Sequence, residues 1–278
     1  MVKQLNDFLL KLILKMLKMK RIYFTPLSIL LAFVLLLCLS CKGKSSSGSS
    51  DNNSGIVIAT SSWTAAYAEA AGAENVVVLA PFEMEHPAEY ELRPGDIAKL
   101  INAEVIVYAG YEVMTERLKE GLNIPQDKLL LVNTDYNYEK IEKSVMDIAV
   151  KLGTEKTARE NLLEIRRVFD EGRKAVSAKN ISERQVVAHR FQSSLLHELG
   201  LNPVAIFGPA SPEASAIATI SKIQTPLIID NIHNPVGRPF REVLPEARYE
   251  QLLNFPGLKG TKSLTDVIRY NVSKIIDN

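Results

Sequence analysis

The chain offers four histidines, His86, His189, His197 and His233, and three of them fall where a metal ion could use them. Imidazole is a common ligand for zinc and other borderline metals. Three such nitrogens, with a carboxylate or water, complete a tetrahedral zinc. His86 sits in "MEHPAEYELRPGDIAKL" (84–100), among Glu83, Glu85, Glu89 and Glu91. His189 closes "QVVAH", and His233 comes three residues after "PLIID". The fourth ligand stays open between Asp230, Glu213, an acid beside His86, and water. The plain alternative is that each histidine is a hydrogen-bonded surface residue and the acids are solvated charges. His197, eight residues after His189 and inside a helical stretch, is set to face solvent. The only cysteines are Cys38 and Cys41, so the body from Lys42 onward can build neither a thiolate zinc site nor a disulfide.

The elements that must hold these residues alternate. Short apolar, β-branched runs read as strands: "GIVIAT" (55–60), "NVVVLA" (75–80), "EVIVYA" (104–109), "LLLV" (129–132), "QVVAH" (185–189), "PVAIF" (203–207) and "PLIID" (226–230). Continuous apolar runs suit parallel strands covered on both faces. Helical patterns lie between them, around 63–71, 94–102, 113–121, 138–152, 191–199 and 214–221. Pro94 suits a first helical turn, and Asp96 suits the positive end of that helix. The sequence therefore predicts an α/β fold with parallel sheets. His86, His189 and His233 all follow strand carboxyl ends, the edge where open α/β sheets bind ligands.

One segment breaks the alternation. Ala158, Leu162, Ile165, Phe169 and Val176 form a single apolar stripe with no strand signal near it. A long helix there would join two lobes as a stiff spine. The expected organisation is an N-terminal α/β lobe at 55–153, a linking helix at 154–179 and a C-terminal α/β lobe at 180–278. A cleft between the lobes could gather the three histidines.

The N-terminus reads as an address. From Met19, the expected true start, a basic pair (Lys20, Arg21) precedes an apolar run from Leu27 to Leu39, then Ser40 and Cys41. The run is shorter than the roughly 20 residues of a membrane span. Residues 1–40 thus form a signal peptide, and Cys41 is the candidate lipidated first residue of the mature chain. Residues 41–54, rich in Ser, Gly and Asn, suit a flexible tether. The formal net charge of +1 hides a division: residues 1–40 hold six of the 33 Lys/Arg and one of the 32 acids. The remainder is mildly acidic, which argues against a nucleic-acid partner. No GxGxxG, P-loop, GxSxG or HExxH motif occurs, so an enzyme is not expected.

Two stretches carry a resemblance. "HPAEYELRPGDIAKLINAEVIVYAGYE" resembles the first-lobe motif of the solute-binding proteins of zinc and manganese ABC transporters, through Tyr90, Glu91, Pro94, Asp96, Tyr108 and Gly110. "VVAHRFQSSLLHELGLNPVAIFGPASPEASA" resembles their second-lobe motif, with His189 at the place of a ligand. The likeness spans about residues 55–278. Departures are specific. Ala88 stands where the family places its first ligand, and His86 lies two residues earlier. No histidine occurs in "NTDYNYEKI" (133–141), and Asn254 stands in "NFPG" for the last ligand, an Asp.

The resemblance implies a monomeric, extracytoplasmic lipoprotein on the bacterial cell membrane. It would capture a divalent transition metal and pass it to an ABC permease. The ligands here would be His86, His189 and His233, the last placed by its strand end, in a segment that does not normally supply a ligand in that family. Three imidazoles favour zinc over manganese, with affinity falling below about pH 6 as histidine protonates. The alternatives are the same fold binding a metal chelate or small organic solute, a zinc-dependent hydrolase, or an adhesin. Trp63 reads as a cleft-wall or core aromatic, and Arg190, Arg238 and Arg241 as cations that could meet an anionic solute.

Overall fold

A computed structural model describes residues 55–181 and 185–277. The signal-like segment, Cys41 and the tether lie outside the described residues. Every one of the seven strands expected from the sequence forms. β1 (Val57–Ala59), β2 (Val76–Val78), β3 (Val105–Tyr108) and β4 (Leu129–Leu131) make a parallel sheet in the order β2-β1-β3-β4. β5 (Val186–His189), β6 (Ala205–Phe207), β7 (Leu227–Asn231) and β8 (Arg248–Leu252) make a second, in the order β6-β5-β7-β8. The two orders are the same pattern used twice, so β1 corresponds to β5 and β3 to β7. The fold is α/β, two lobes with parallel sheets and a long helix between them.

β8 escaped sequence reading because "RYEQL" is no apolar run. It is an edge strand, covered less fully than its neighbours. Helices α1 (Ser62–Ala70), α2 (Pro94–Ile101), α3 (Tyr138–Leu152), α4 (Glu155–Ala178), α5 (Ser193–Glu198) and α6 (Ala214–Ile220) match expected ones. The stretch 113–121 yields only a wide turn at Arg117–Gly121. α7 (Arg238–Val243) and α8 (Leu264–Ile276) are additions. The signal for α8 was present: Ser263 and Asp266 form a reciprocal cap at its start.

The stripe of α4 is buried along its length, and Gly172 completes it. A Cβ on Gly172 would come within 2.7 Å of Leu199 and 2.9 Å of Val272, so glycine lets α4 approach its neighbours. α4 packs against α3 and α8, and one continuous core takes in residues of both sheets, from Val57 and Val105 to Val186 and Leu227. Two smaller clusters cover the outer faces: Ile58, Ile106 and Leu100 on the first sheet, and Val187, Ile228 and Phe240 on the second. The lobes therefore share their interior, and the spine is part of that interior. Among the described residues no helix is long and apolar enough to cross a membrane.

Candidate solute-binding cleft

The carboxyl ends of the strands face a cleft of about 1230 Å³. Residues of both lobes line it, including Trp63, Glu85, His86, Glu112, Arg190, Phe191, His233 and Phe255.

The first-lobe rim is held by two buried carboxylates. Asp96 caps α2: it accepts from the Arg93 amide at 3.0 Å, the Tyr90 hydroxyl at 2.8 Å and the Lys99 ammonium at 3.1 Å. Burial alone would raise the Asp96 carboxyl, but these donors outweigh it and hold the group below its usual value. The stretch "YELRPGD" is thus one capped turn, and its Tyr and Asp are spaced to meet. Glu112 does similar work after β3. It accepts from the Ala109 amide at 2.7 Å, the Gly110 amide at 2.6 Å, the Thr60 hydroxyl at 2.6 Å and the Thr115 hydroxyl at 3.3 Å. This ties the end of β1 to the turn after β3, where Gly110 has φ +87°.

His86 precedes a short 3-10 turn, Pro87–Glu89, with its carbonyl accepting from the Glu89 amide at 3.0 Å. Its side chain is exposed at the cleft edge.

His233 sits opposite, in the turn after β7. Its amide donates to the Asn231 side chain at 2.8 Å, which fixes the turn. The ring is 5% exposed and stacks on Phe255 with centroids 3.7 Å apart. Neither ring nitrogen makes a well-formed hydrogen bond, although the Glu85 backbone carbonyl lies close to the ring. Burial pushes its pKa down to about 4; the Glu85 carbonyl works the other way, and the nearby His86 adds to the depression. His233 is therefore neutral at physiological pH. The expectation that affinity fails below pH 6 does not apply to this imidazole.

His189 is fully buried at the end of β5. Its Nδ1 accepts from the Phe191 amide at 3.1 Å, capping the turn that follows. That leaves the proton on Nε2, which has no partner. Nε2 faces Gly208, where an added Cβ would stand 2.4 Å from it. Burial lowers the His189 pKa; Asp230 opposes that effect and Arg190 reinforces it. His197 is exposed and pairs with Asn202 at 3.0 Å.

The three candidate histidines do not meet. Among the described residues, no group of three or more His, Cys, Asp or Glu stands close enough to hold a metal ion. His86 and His233 face the cleft, whereas His189 is enclosed beneath Gly208. The candidates for a fourth ligand divide in the same way. Asp230 already accepts from the Asn231 and Gly237 amides, each at 2.8 Å, and from the Tyr249 hydroxyl. Glu213 is exposed before α6, and Glu85 and Glu89 line the cleft. Asn254 is held by the Gln192 amide at 2.7 Å.

Sequence reading singled out Trp63 as a cleft-wall or core aromatic but missed Tyr136 and Phe255, which complete the floor of the cleft with it. Trp63 lies in the first turn of α1, at the carboxyl end of β1. It stacks on Tyr136 at 6.1 Å and tilts against Phe255 at 5.5 Å. Tyr136, Trp63, Phe255 and His233 form a continuous aromatic row across both lobes. The "NFPG" segment closes the junction: the Ser62 hydroxyl donates to the Pro256 carbonyl at 2.6 Å. Gly257, at φ +129°, lies where a Cβ would come within 2.3 Å of the Phe82 carbonyl, so only glycine fits. Phe255, in the segment nine residues before α8 begins, carries no periodic signal that could flag it.

No family model matches the chain, and no curated protein does. Solved structures do. The solute-binding protein FpvC from Pseudomonas aeruginosa, in complex with Ni2+, has a TM-score of 0.65 at 19% identity, over 80% of this chain and 96% of that one. The Mn-bound periplasmic metal binding protein from Candidatus Liberibacter asiaticus has a TM-score of 0.61 at 18% identity, over 80% and 98%. The metal-dependent lipoprotein YcdH from Bacillus subtilis has a TM-score of 0.61 at 18% identity, over 80% and 98%. The chain thus shares its fold with these three proteins.

Proposed function

We propose that this chain is an extracytoplasmic solute-binding protein that captures a divalent transition metal between its lobes and passes it to an ABC importer. On this reading Cys41 carries the lipid that anchors it to the bacterial cell membrane, and the chain acts as a monomer without catalysing a reaction. One observation carries the reading. His233 is a neutral imidazole on the cleft wall, opposite His86, and neither nitrogen makes a well-formed hydrogen bond, with the Glu85 carbonyl as its near acceptor. A buried polar group without a partner costs about 1–3 kcal/mol, which a ligand at that nitrogen would remove. The likeness in fold to nickel- and manganese-bound proteins supports the same solute class.

Imidazole donors favour zinc over manganese, whose preferred ligands are carboxylates. His86 and His233 are the direct ligands; His189 joins them only if the Gly208 turn gives way. The test is titration of the full chain in detergent with zinc and with manganese, beside His86→Ala, His189→Ala and His233→Ala variants. Zinc should bind and raise the melting temperature, and His233→Ala should weaken it most. No bound metal, with a melting temperature unmoved by either ion, in any complexed or free form, would overturn the reading.

A further inference from the structure

The cleft is built for something larger and richer in acceptors than a bare ion. A divalent ion stripped of water needs about four protein ligands, and the described residues bring no three together. The cleft, at about 1230 Å³, exceeds the range of roughly 300–1,000 Å³ usual for small-molecule sites. A bare ion displaces about the volume of one water, near 30 Å³. Four aromatic rings line the cleft, with Trp63 and Phe255 on the floor and Phe191 exposed at the side. Rings of this kind contribute by stacking on another flat group, and they give a metal ion no lone pair to bind. Of the cleft's five carboxylates, Glu112, Asp135 and Asp147 are spent on donors within the chain, and Glu85 and Glu89 stand at the rim beside His86.

The unpartnered polar atoms point the same way. The Trp63 indole N–H and the Tyr136 hydroxyl are buried without acceptors. The indole N–H, which lines the cleft, is a donor only, so a cation repels it and an anionic oxygen satisfies it; the Tyr136 hydroxyl beneath it can donate or accept. Arg190 lines the cleft with no carboxylate partner among the described residues; its guanidinium makes only a long contact of 3.4 Å to the Gly208 carbonyl. The other cation on the lining, Lys143, is already paired with Asp147 at 2.5 Å. A guanidinium is the side chain best shaped to take a carboxylate.

We infer that the solute is a divalent metal already held by a small, flat, anionic chelator. The chelator supplies most of the metal's ligands. His233, with His86, fills the remaining positions, the aromatic row stacks on the chelator's ring, and Arg190 takes its negative group. This rests on the metal-capture reading and specifies the form in which the metal arrives. It explains why the ligand set is short without requiring the chain to have lost its solute.

The probe is zinc presented alone, as its 1:1 complex with dipicolinate, and as its 1:1 complex with uncharged 2,2′-bipyridine. Trp63 is the only tryptophan in the chain, so its fluorescence reports on the cleft floor directly. The full chain should bind the dipicolinate complex at least about tenfold more tightly than zinc alone, with Trp63 quenched. The bipyridine complex should fall between the two. Arg190→Gln should bring the dipicolinate complex down to the bipyridine level and leave zinc alone unchanged. Phe191→Ala should weaken both complexes and leave zinc alone unchanged. Free dipicolinate should not compete with its zinc complex at equal concentration. Zinc alone binding as tightly as either complex would overturn this inference and leave the metal-capture reading standing. Binding of no form of zinc would overturn both.

Discussion

Glu112 and His233 occupy matching places in the two lobes. Each follows the strand that sits third in its sheet, β3 or β7, and each is buried at the cleft. Their surroundings are opposite. Glu112 collects four donors from three segments, whereas His233 collects none. A saturated polar group is scaffolding, because its hydrogen-bonding capacity is spent on holding the chain. An unsaturated one, sealed against an aromatic ring, keeps that capacity for something that is not part of the chain. Burial and polarity alone do not separate the two roles; the count of partners does.

The contrast can be broken by exchanging stability for binding. Glu112→Ala leaves two amides and two hydroxyls without their acceptor. It should destabilise the body by about 3–5 kcal/mol in urea unfolding. If it unfolds no earlier than wild type, Glu112 is not the scaffold described. His233 should affect stability through pH. Its folded pKa of about 4 lies below the usual 6.5. Above pH 6.5 both folded and unfolded states hold it neutral and no penalty exists. As pH falls toward 4 the unfolded chain takes up a proton that the folded chain refuses, and up to about 3 kcal/mol of stability is lost. His233→Phe keeps the stack on Phe255 and should flatten this slope, measured as the difference from wild type between pH 7.5 and pH 4.5.

Binding should separate the residues further. His233→Ala should weaken zinc by at least about tenfold, or 1.4 kcal/mol, and leave the urea midpoint at pH 7.5 close to wild type. An equal loss from Glu112→Ala in a folded protein would erase the distinction between the two sites. His86→Ala should cost less than His233→Ala, since its ring is exposed and exchanges water for the ion. The smallest effect belongs to Asp96→Asn, which keeps the shape of the cap but not its charge. About 1 kcal/mol of stability should go, with zinc affinity unchanged.

Much of the scaffold could be read from the chain. Seven apolar runs became seven strands, and a stripe at helical spacing became α4, because a residue covered on both faces or along one side has few alternatives in type. β8 and α7 were illegible for the converse reason. They lie at an edge or are short, and their residues answer to partial exposure rather than to a repeating pattern. The site was legible by place more than by geometry. Strand ends located His86, His189 and His233 near one rim, and nothing in their spacing told which ring would face the cleft. His189 looked the best matched of the three, yet its Nδ1 is engaged by Phe191 and its Nε2 is turned toward Gly208.

What the sequence determined by itself was periodic or local: the alternation of strand and helix, the spine, the Tyr90–Asp96 turn, and the rim to which the histidines belong. These depend on neighbours a few residues away or on a repeat that runs along an element. Only the tertiary structure decided which polar atoms end up satisfied. Thr60 reaches Glu112 across 52 positions and Ser62 reaches Pro256 across 194, and Trp63 meets Phe255 only because both lobes close on one core. Whether a buried atom finds a partner depends on every segment that packs around it, and that is a property of the assembled fold that no window of sequence contains.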